Sequence, residues 1–306
     1  MNTSHFYPIG VPGQPWTQAE KEQWLKEQHR RRDYKDIVER IFALKNHFHI
    51  ERYGALSFSP DHLRLYALKS RYWSNHKPTV FITGGVHGYE SSGVYGALSF
   101  LEQHASAYSE EFNFLCVPCV SPWGFETYQR WNAQAIDPNR SFYPNTRCEE
   151  SHALMHLLLR YKKRILAHID LHETTDTDET EFRPAVHARD GRDFIPGEIP
   201  DGFYLVADKE SPQYDFQEAI LSEVRTVTHI APPDREGNII GSKQVREGVI
   251  LYATKALGLC SGMTDAPYTT TTEVYPDSEK VTEENCIDAQ VAAIRGALKY
   301  LSNIQP

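Results

Sequence analysis

His87 and Glu90 stand three residues apart in Thr79-Val-Phe-Ile-Thr-Gly-Gly-Val-His-Gly-Tyr-Glu90, directly after a short apolar run and a Gly-Gly pair. An imidazole and a carboxylate at that spacing can take two positions on one divalent metal ion. A third donor is on offer in Ile169-Asp-Leu-His172. Three protein ligands leave a fourth position for water, the arrangement of a catalytic rather than a structural zinc. Among 14 histidines a bare H-x-x-E also arises by chance, so the metal reading depends on what else the chain supplies.

Two further stretches bear on it. In Arg130-Trp-Asn-Ala-Gln-Ala-Ile-Asp137-Pro-Asn139-Arg140 the arginines either bond carbonyl oxygens of a polar loop or grip a carboxylate with paired charge-assisted bonds. In Thr269-Thr-Thr-Thr-Glu273-Val-Tyr275 a glutamate interrupts a run of threonines. Glutamate is a poor β-former, so in an internal strand it needs a chemical reason to be there.

Taken in this order, the four segments resemble the zinc metallocarboxypeptidases, the carboxypeptidase A-like enzymes, from about Pro78 to Tyr275. The most specific part is Arg130, seven residues ahead of the aspartate of D-x-N-R. The resemblance implies one zinc ion per chain on His87, Glu90 and His172, with Asp137 behind the first histidine. It implies Arg130 polarising the scissile carbonyl, Asn139 and Arg140 holding the substrate's carboxylate, and Glu273 as the catalytic acid–base. Asp-Leu-His-Glu-Thr-Thr also resembles the third-ligand segment of the aspartoacylase and succinylglutamate desuccinylase group, which deacylates N-acyl amino acids.

The chain departs from the carboxypeptidase pattern in places. Four threonines precede Glu273, where hydrophobic residues are frequent, and Asp176 to Ile199 looks inserted. The family's mobile tyrosine has no clear counterpart; Tyr252 could serve, or could be a core residue. His172-Glu-Thr-Thr-Asp176 nearly spells H-E-x-x-H, but it ends in aspartate and sits at a strand end. His152-x-x-x-His156 has helical spacing without a third ligand nearby, which suits a surface pair. Lys243 and Arg246 could favour an acidic substrate side chain or could be solvated charge.

Composition narrows the function class. With 40% hydrophobic and 24% charged residues, the chain reads as an ordinary soluble globular protein. A net charge of −9 argues against a nucleic-acid surface. His29-Arg-Arg-Arg-Asp33 is the nearest thing to a basic run and reads as a solvated helix end. No segment has the roughly 18 apolar residues of a membrane span. Met1 to Pro8 lacks the basic start and apolar centre of a signal peptide. With five cysteines, an odd and sparse number, this points to a cytoplasmic protein with free thiols. Cys116-x-x-Cys119 reads as core of a buried strand.

Periodicity predicts helices at Thr17–Arg32, Tyr34–Leu44, Glu90–His104, Glu149–Lys163, Phe216–Thr228 and Thr282–Leu301. Strands are predicted at His47–Phe58, Leu63–Leu68, Thr79–Thr83, Phe112–Val120, Ile165–Leu171, Gly202–Ala207, Val249–Ala253 and Thr269–Tyr275. Asp176–Ile199 and Pro232–Gly241 read as loops. The expected fold is α/β, a mixed and largely parallel central sheet flanked by helices on both faces. One catalytic domain spans 1–306, with 1–45 as a helical extension. Ligands of such sheets bind at the carboxyl ends of the strands, where His87 and His172 fall.

The expected activity is zinc-dependent hydrolysis of an amide bond beside a free carboxylate, a metallocarboxypeptidase acting on peptides. The alternatives are an N-acyl-amino-acid deacylase and a non-catalytic binding module that retains the fold. The partner is a peptide or N-acyl amino acid with a free carboxylate, with neither nucleic acid nor membrane involved.

Overall fold

The computed structural model describes residues 7–161 and 165–304. The part of the signal-peptide reading at Met1–Phe6, and the end of the fourth predicted helix at Lys162 and Lys163, lie outside them. Ten strands form one sheet in the order β1-β2-β4-β3-β5-β10-β6-β9-β8-β7. They are β1 (Phe48–Ala55), β2 (Arg64–Ser70), β3 (Thr79–Gly84), β4 (Asn113–Val117), β5 (Ile165–Glu173), β6 (Tyr204–Asp208), β7 (Asn238–Ile239), β8 (Ser242–Arg246), β9 (Val249–Tyr252) and β10 (Tyr268–Val274). The central four, β4-β3-β5-β10, run parallel, and antiparallel pairs flank them on both sides.

The apolar runs behave as strands buried on both faces. Val80 and Ile82 of β3 join one core cluster with Phe114 and Cys116 of β4, whereas Phe81, Leu115 and Val117 join another. This is the period-two alternation of a pleated strand with no polar face. The first cluster is closed by α3 (Ser91–Gln103), α7 (Tyr214–Val224) and α8 (Glu283–Ile304), the second by α5 (Glu149–Leu158). Cys116 and Cys119 are buried free thiols in that first core. Among the described residues no helix is long and apolar enough to cross a membrane.

α1 (Gln18–Glu27) begins at Thr17 in a capping box with Glu20 and ends five residues before the predicted Arg32. It is followed by α2 (Tyr34–Ala43). Trp16 and Trp24 pack on Trp131, so the N-terminal segment shares the main core. The segment at His29–Asp33 is irregular rather than a helix end, and His29, Arg30, Arg31 and Asp33 are exposed as expected. Arg32 donates to the Tyr89 carbonyl (3.0 Å) and lies over the Tyr128 ring, 4.6 Å from its centre.

The excursion after β5 is not irregular throughout. It contains a π-turn at Asp178–Phe182 and α6 (Arg183–Arg189). The N-terminal segment ties it down: Trp16 N donates to Arg189 O (2.8 Å), Pro15 bridges to Asp190, and the Tyr7 hydroxyl donates to Glu181 (2.9 Å). The predicted loop at Pro232–Gly241 includes β7, which forms a hairpin with β8.

After β3 the chain turns through Gly85, at φ +58°, and Gly88 presses on α4 (Pro122–Thr127). A Cβ on Gly88 would stand 1.9 Å from the carbonyl carbon of Gly124, backbone that cannot swing aside. Gly88→Ala is therefore expected to destabilise the protein by about 2 kcal/mol or more in urea denaturation. An unchanged midpoint would mean that this close approach is not needed.

Candidate active site

β3, β5 and β10 end side by side, with Thr83 level with Asp170, and His172 level with Glu273. His87 and Glu90 follow β3, and Glu90 occupies the N-cap position of α3. His87 Nδ1 lies 2.6 Å from Glu90 Oε1, and His172 Nδ1 lies 2.7 Å from Glu90 Oε2. One donor atom from each of the three lies within 4.8 Å of the others, and all three residues are buried.

Each imidazole is backed by its own carboxylate. His87 Nε2 faces Asp137 Oδ1 at 3.1 Å, and His172 Nε2 faces Asp170 Oδ2 at 2.9 Å. A proton on each Nε2 leaves both Nδ1 atoms turned toward Glu90, and such outer carboxylates fix tautomer and ring orientation in metal sites. Glu90 Oε2 is buried without a hydrogen bond, because its approach to His172 has the distance but not the angle of one. Two imidazoles and a carboxylate, with one orphaned oxygen among them, are a donor set that fits zinc.

Burial pushes the Glu90 carboxyl up, but the two imidazoles outweigh it and bring its pKa down to about 2. Burial pushes His172 down, yet Glu90 and Asp170 hold its pKa well above the usual imidazole range.

Asp137 joins three of the predicted residues. Besides His87 it accepts from Arg130 Nε (3.0 Å) and from the backbone N–H of Asn139 (2.9 Å). Asn139 is buried, its side-chain oxygen accepting from Cys260 N at 2.7 Å. Arg140 is exposed and donates to the Asn139 carbonyl (2.7 Å). Glu273 accepts from the Thr174 hydroxyl (2.9 Å); burial and the Glu90 charge push its pKa up to about 8 against the opposing pull of His172. All of these except His172, Asp170 and Cys260 line one cavity of about 540 Å³, which Tyr252 also lines. His152 and His156 are exposed on α5, away from it.

The comparisons with known proteins agree with this arrangement. Over 88% of this chain and 93% of the other, the structure superposes on a protein described as a metallopeptidase from Shewanella amazonensis, with TM-score 0.68 and 20% identity. A metallo-carboxypeptidase from Burkholderia cenocepacia gives TM-score 0.62 at 14% identity over 89% of this chain and 69% of that one. The chain has the metallocarboxypeptidase fold.

In sequence, residues 76–193 match the family model of the succinylglutamate desuccinylase/aspartoacylase catalytic domain. "Probable carboxypeptidase 2" of Arthroderma benhamiae is 32% identical over 108 residues, 33% of this chain and 20% of that protein. The matched stretch thus spans about a fifth of the length of these curated relatives. The chain resembles carboxypeptidases and the desuccinylase/aspartoacylase group alike.

On this metallocarboxypeptidase fold the predicted residues come together, but the sequence reading passed over several of their supports. Asp170 sits two residues before His172 on one face of β5, a spacing that a strand turns into adjacency. Asp178, in the excursion, accepts from Arg130 Nη1 (3.2 Å), from the Tyr89 hydroxyl (2.7 Å) and from Thr175 N. Arg130 is thereby held between two carboxylates. Glu173 accepts from Ser92 N (2.5 Å) at the start of α3, where burial pushes its pKa up to about 7. No local motif announces Asp178, and Glu173 was quoted only as part of the segment after His172, without a role.

A metal ion held by His87, Glu90 and His172 competes with protons for the two imidazoles. Calorimetric zinc titrations in buffers of different ionisation enthalpy are expected to show net proton release and affinity that weakens as pH falls. Asp170→Asn is expected to weaken zinc binding about 10-fold to 100-fold. Buffer-independent heats, or unaltered affinity in that variant, would contradict this account.

Proposed function

We propose that the protein is a zinc-dependent hydrolase of amide bonds next to a free carboxylate, acting as a carboxypeptidase. The observation that supports the proposal is the shared cavity: His87 and Glu90 of the three-donor metal cradle, Glu273 with its raised pKa, and Arg140, which makes no ion pair among the described residues, all line one space. His87, Glu90 and His172 would hold the ion, whose chemistry when bound is to polarise a carbonyl and make water a nucleophile at neutral pH.

The remaining work belongs to the chain's own groups. Glu273 takes a proton from the attacking water and returns it to the leaving nitrogen. A pKa raised from the ordinary carboxyl range suits both halves of that exchange. Arg130, fixed through Nε and Nη1 to Asp137 and Asp178, retains Nη2 for the oxygen that gains charge on the scissile carbonyl. Arg140 and the side-chain Nδ2 of Asn139 orient the substrate by its terminal carboxylate, which sets the bond that is presented for hydrolysis.

The match to the desuccinylase/aspartoacylase catalytic domain favours a second reading, deacylation of an N-acyl amino acid by the same groups. An assay of blocked dipeptides beside N-acetylaspartate and N-succinylglutamate, with zinc present, separates the two.

Glu273→Gln is expected to retain zinc and lose about 10²–10⁴ in kcat. Full activity in that variant would remove Glu273 from the reaction. Arg140→Ala is expected to raise KM with kcat little changed, since a clamp on an unreacting carboxylate binds ground state and transition state alike. A kcat loss at constant KM would reassign it.

A further inference from the structure

The threonine run ahead of Glu273 is divided between two glutamines. Successive side chains of β10 alternate between sheet faces, so Thr270 and Thr272 stand on the opposite side of the strand from Glu273. Thr270 Oγ1 donates to Gln217 Oε1 (2.7 Å) on α7, and Thr272 Oγ1 donates to Gln290 Oε1 (2.6 Å) on α8. All four residues are fully buried. The helix faces that carry the two amides are otherwise apolar. Phe216, Ile220 and Leu221 flank Gln217 in sequence, and Ala289, Ala293 and Ile294 flank Gln290. An amide in such surroundings is unfavourable unless its donors and acceptor are met.

The two amides are met in different ways. Gln217 Nε2 donates to Thr269 O (3.0 Å) and Pro212 O (3.2 Å), so its bonds stay within β10 and the approach to α7. Gln290 Nε2 donates to His172 O (2.8 Å) and to Ser92 Oγ (3.3 Å). Ser92 lies in the first turn of α3, two residues after Glu90, and its N–H donates to Glu173 (2.5 Å). Thr272 immediately precedes Glu273. One side chain thus joins the segments that carry Glu90, His172 and Glu273, although Gln290 itself does not line the cavity. α8 sits so close to α3 that a Cβ on Gly96 would stand 2.6 Å from Gln290 Cβ.

Packing alone does not ask for this residue. An apolar side chain of similar volume, with valine in place of Thr272, would seal the same interface at little cost. What an apolar contact cannot do is fix the backbone of β5 and the start of α3 relative to β10, because only hydrogen bonds are directional.

Resting on the hydrolase reading above, we infer that Gln290 is a positioning residue of the reaction. It holds three elements, each carrying a zinc donor or the acid–base carboxyl, at the spacing that the metal cradle and Glu273 require. A shift of about 1 Å in such groups costs on the order of 10²-fold in rate even when its origin is remote from the chemistry. Gln217 makes the same kind of bonds to the same strand without touching a segment that carries a metal donor, so it contributes stability alone.

The test compares full-length Gln290→Leu and Gln217→Leu with the unsubstituted chain. Three quantities are measured: the urea midpoint, zinc affinity by competition with a chromophoric chelator, and kcat and KM at saturating zinc. Both variants are expected to lower the midpoint. Gln290→Leu alone is expected to weaken zinc binding about tenfold or more, and to lower kcat about tenfold or more with KM little changed. Should Gln290→Leu not fold, Thr272→Val and Thr270→Val repeat the comparison with one hydrogen bond lost in each. Zinc binding about threefold weaker is then expected in Thr272→Val only. Equal zinc affinity within either pair would overturn the inference and leave the hydrolase reading standing. Zinc binding by the unsubstituted chain without turnover of blocked dipeptides or N-acyl amino acids would overturn the hydrolase reading. The affinity comparison would then still decide whether Gln290 sets the cradle. A chain with no affinity for zinc would overturn both.

Discussion

One buried carboxylate shared by two imidazoles is the constraint around which the site is built. An isolated ionised group in a protein interior is prohibitively unfavourable, so each charge here must be answered by the next. Asp137, His87, Glu90, His172 and Asp170 form a line in which acid and base alternate. The line is anchored to separate elements: the turn after β3, the loop before Pro138, and the end of β5. No member can move far without leaving a neighbour uncompensated, and rigidity of this kind is what a metal cradle requires.

The fold brings such a line together by geometry that is not specific to any chemistry. Parallel strands end together, and the chain leaves them at one edge of the sheet. α3 starts there as well, so Glu90 at its N-cap and Glu173 against Ser92 N both meet the positive end of a 13-residue helix. Two acids in close quarters are made tolerable by backbone dipoles as well as by histidines.

What could be read from the sequence follows from how local each signal is. His87, Glu90, Arg130, Asp137, Asn139 and Arg140 lie in two short segments whose spacing carries their relation, and the structure sets them around one cavity. His172 and Glu273 were legible because each sits at the end of a recognisable strand. Asp178 was not, since its partners Tyr89 and Arg130 lie 89 and 48 residues away. The β7–β8 hairpin was missed because Ser242-Lys-Gln-Val-Arg246 is a polar edge with no apolar alternation. Arg30 and Arg31 are exposed as expected, but the tie of Arg32 was not legible because the carbonyl that receives it belongs to the turn after β3. Pairings between distant segments leave no periodicity to detect.

The excursion over the cavity is fastened on two sides: inside through Asp178 to Arg130, and outside through Asp190 to Pro15 and Glu181 to Tyr7. A flap secured at both hems cannot flutter on one hinge. The chamber is therefore shaped before any guest arrives, and affinity is not discounted by the fraction of time a door stands ajar.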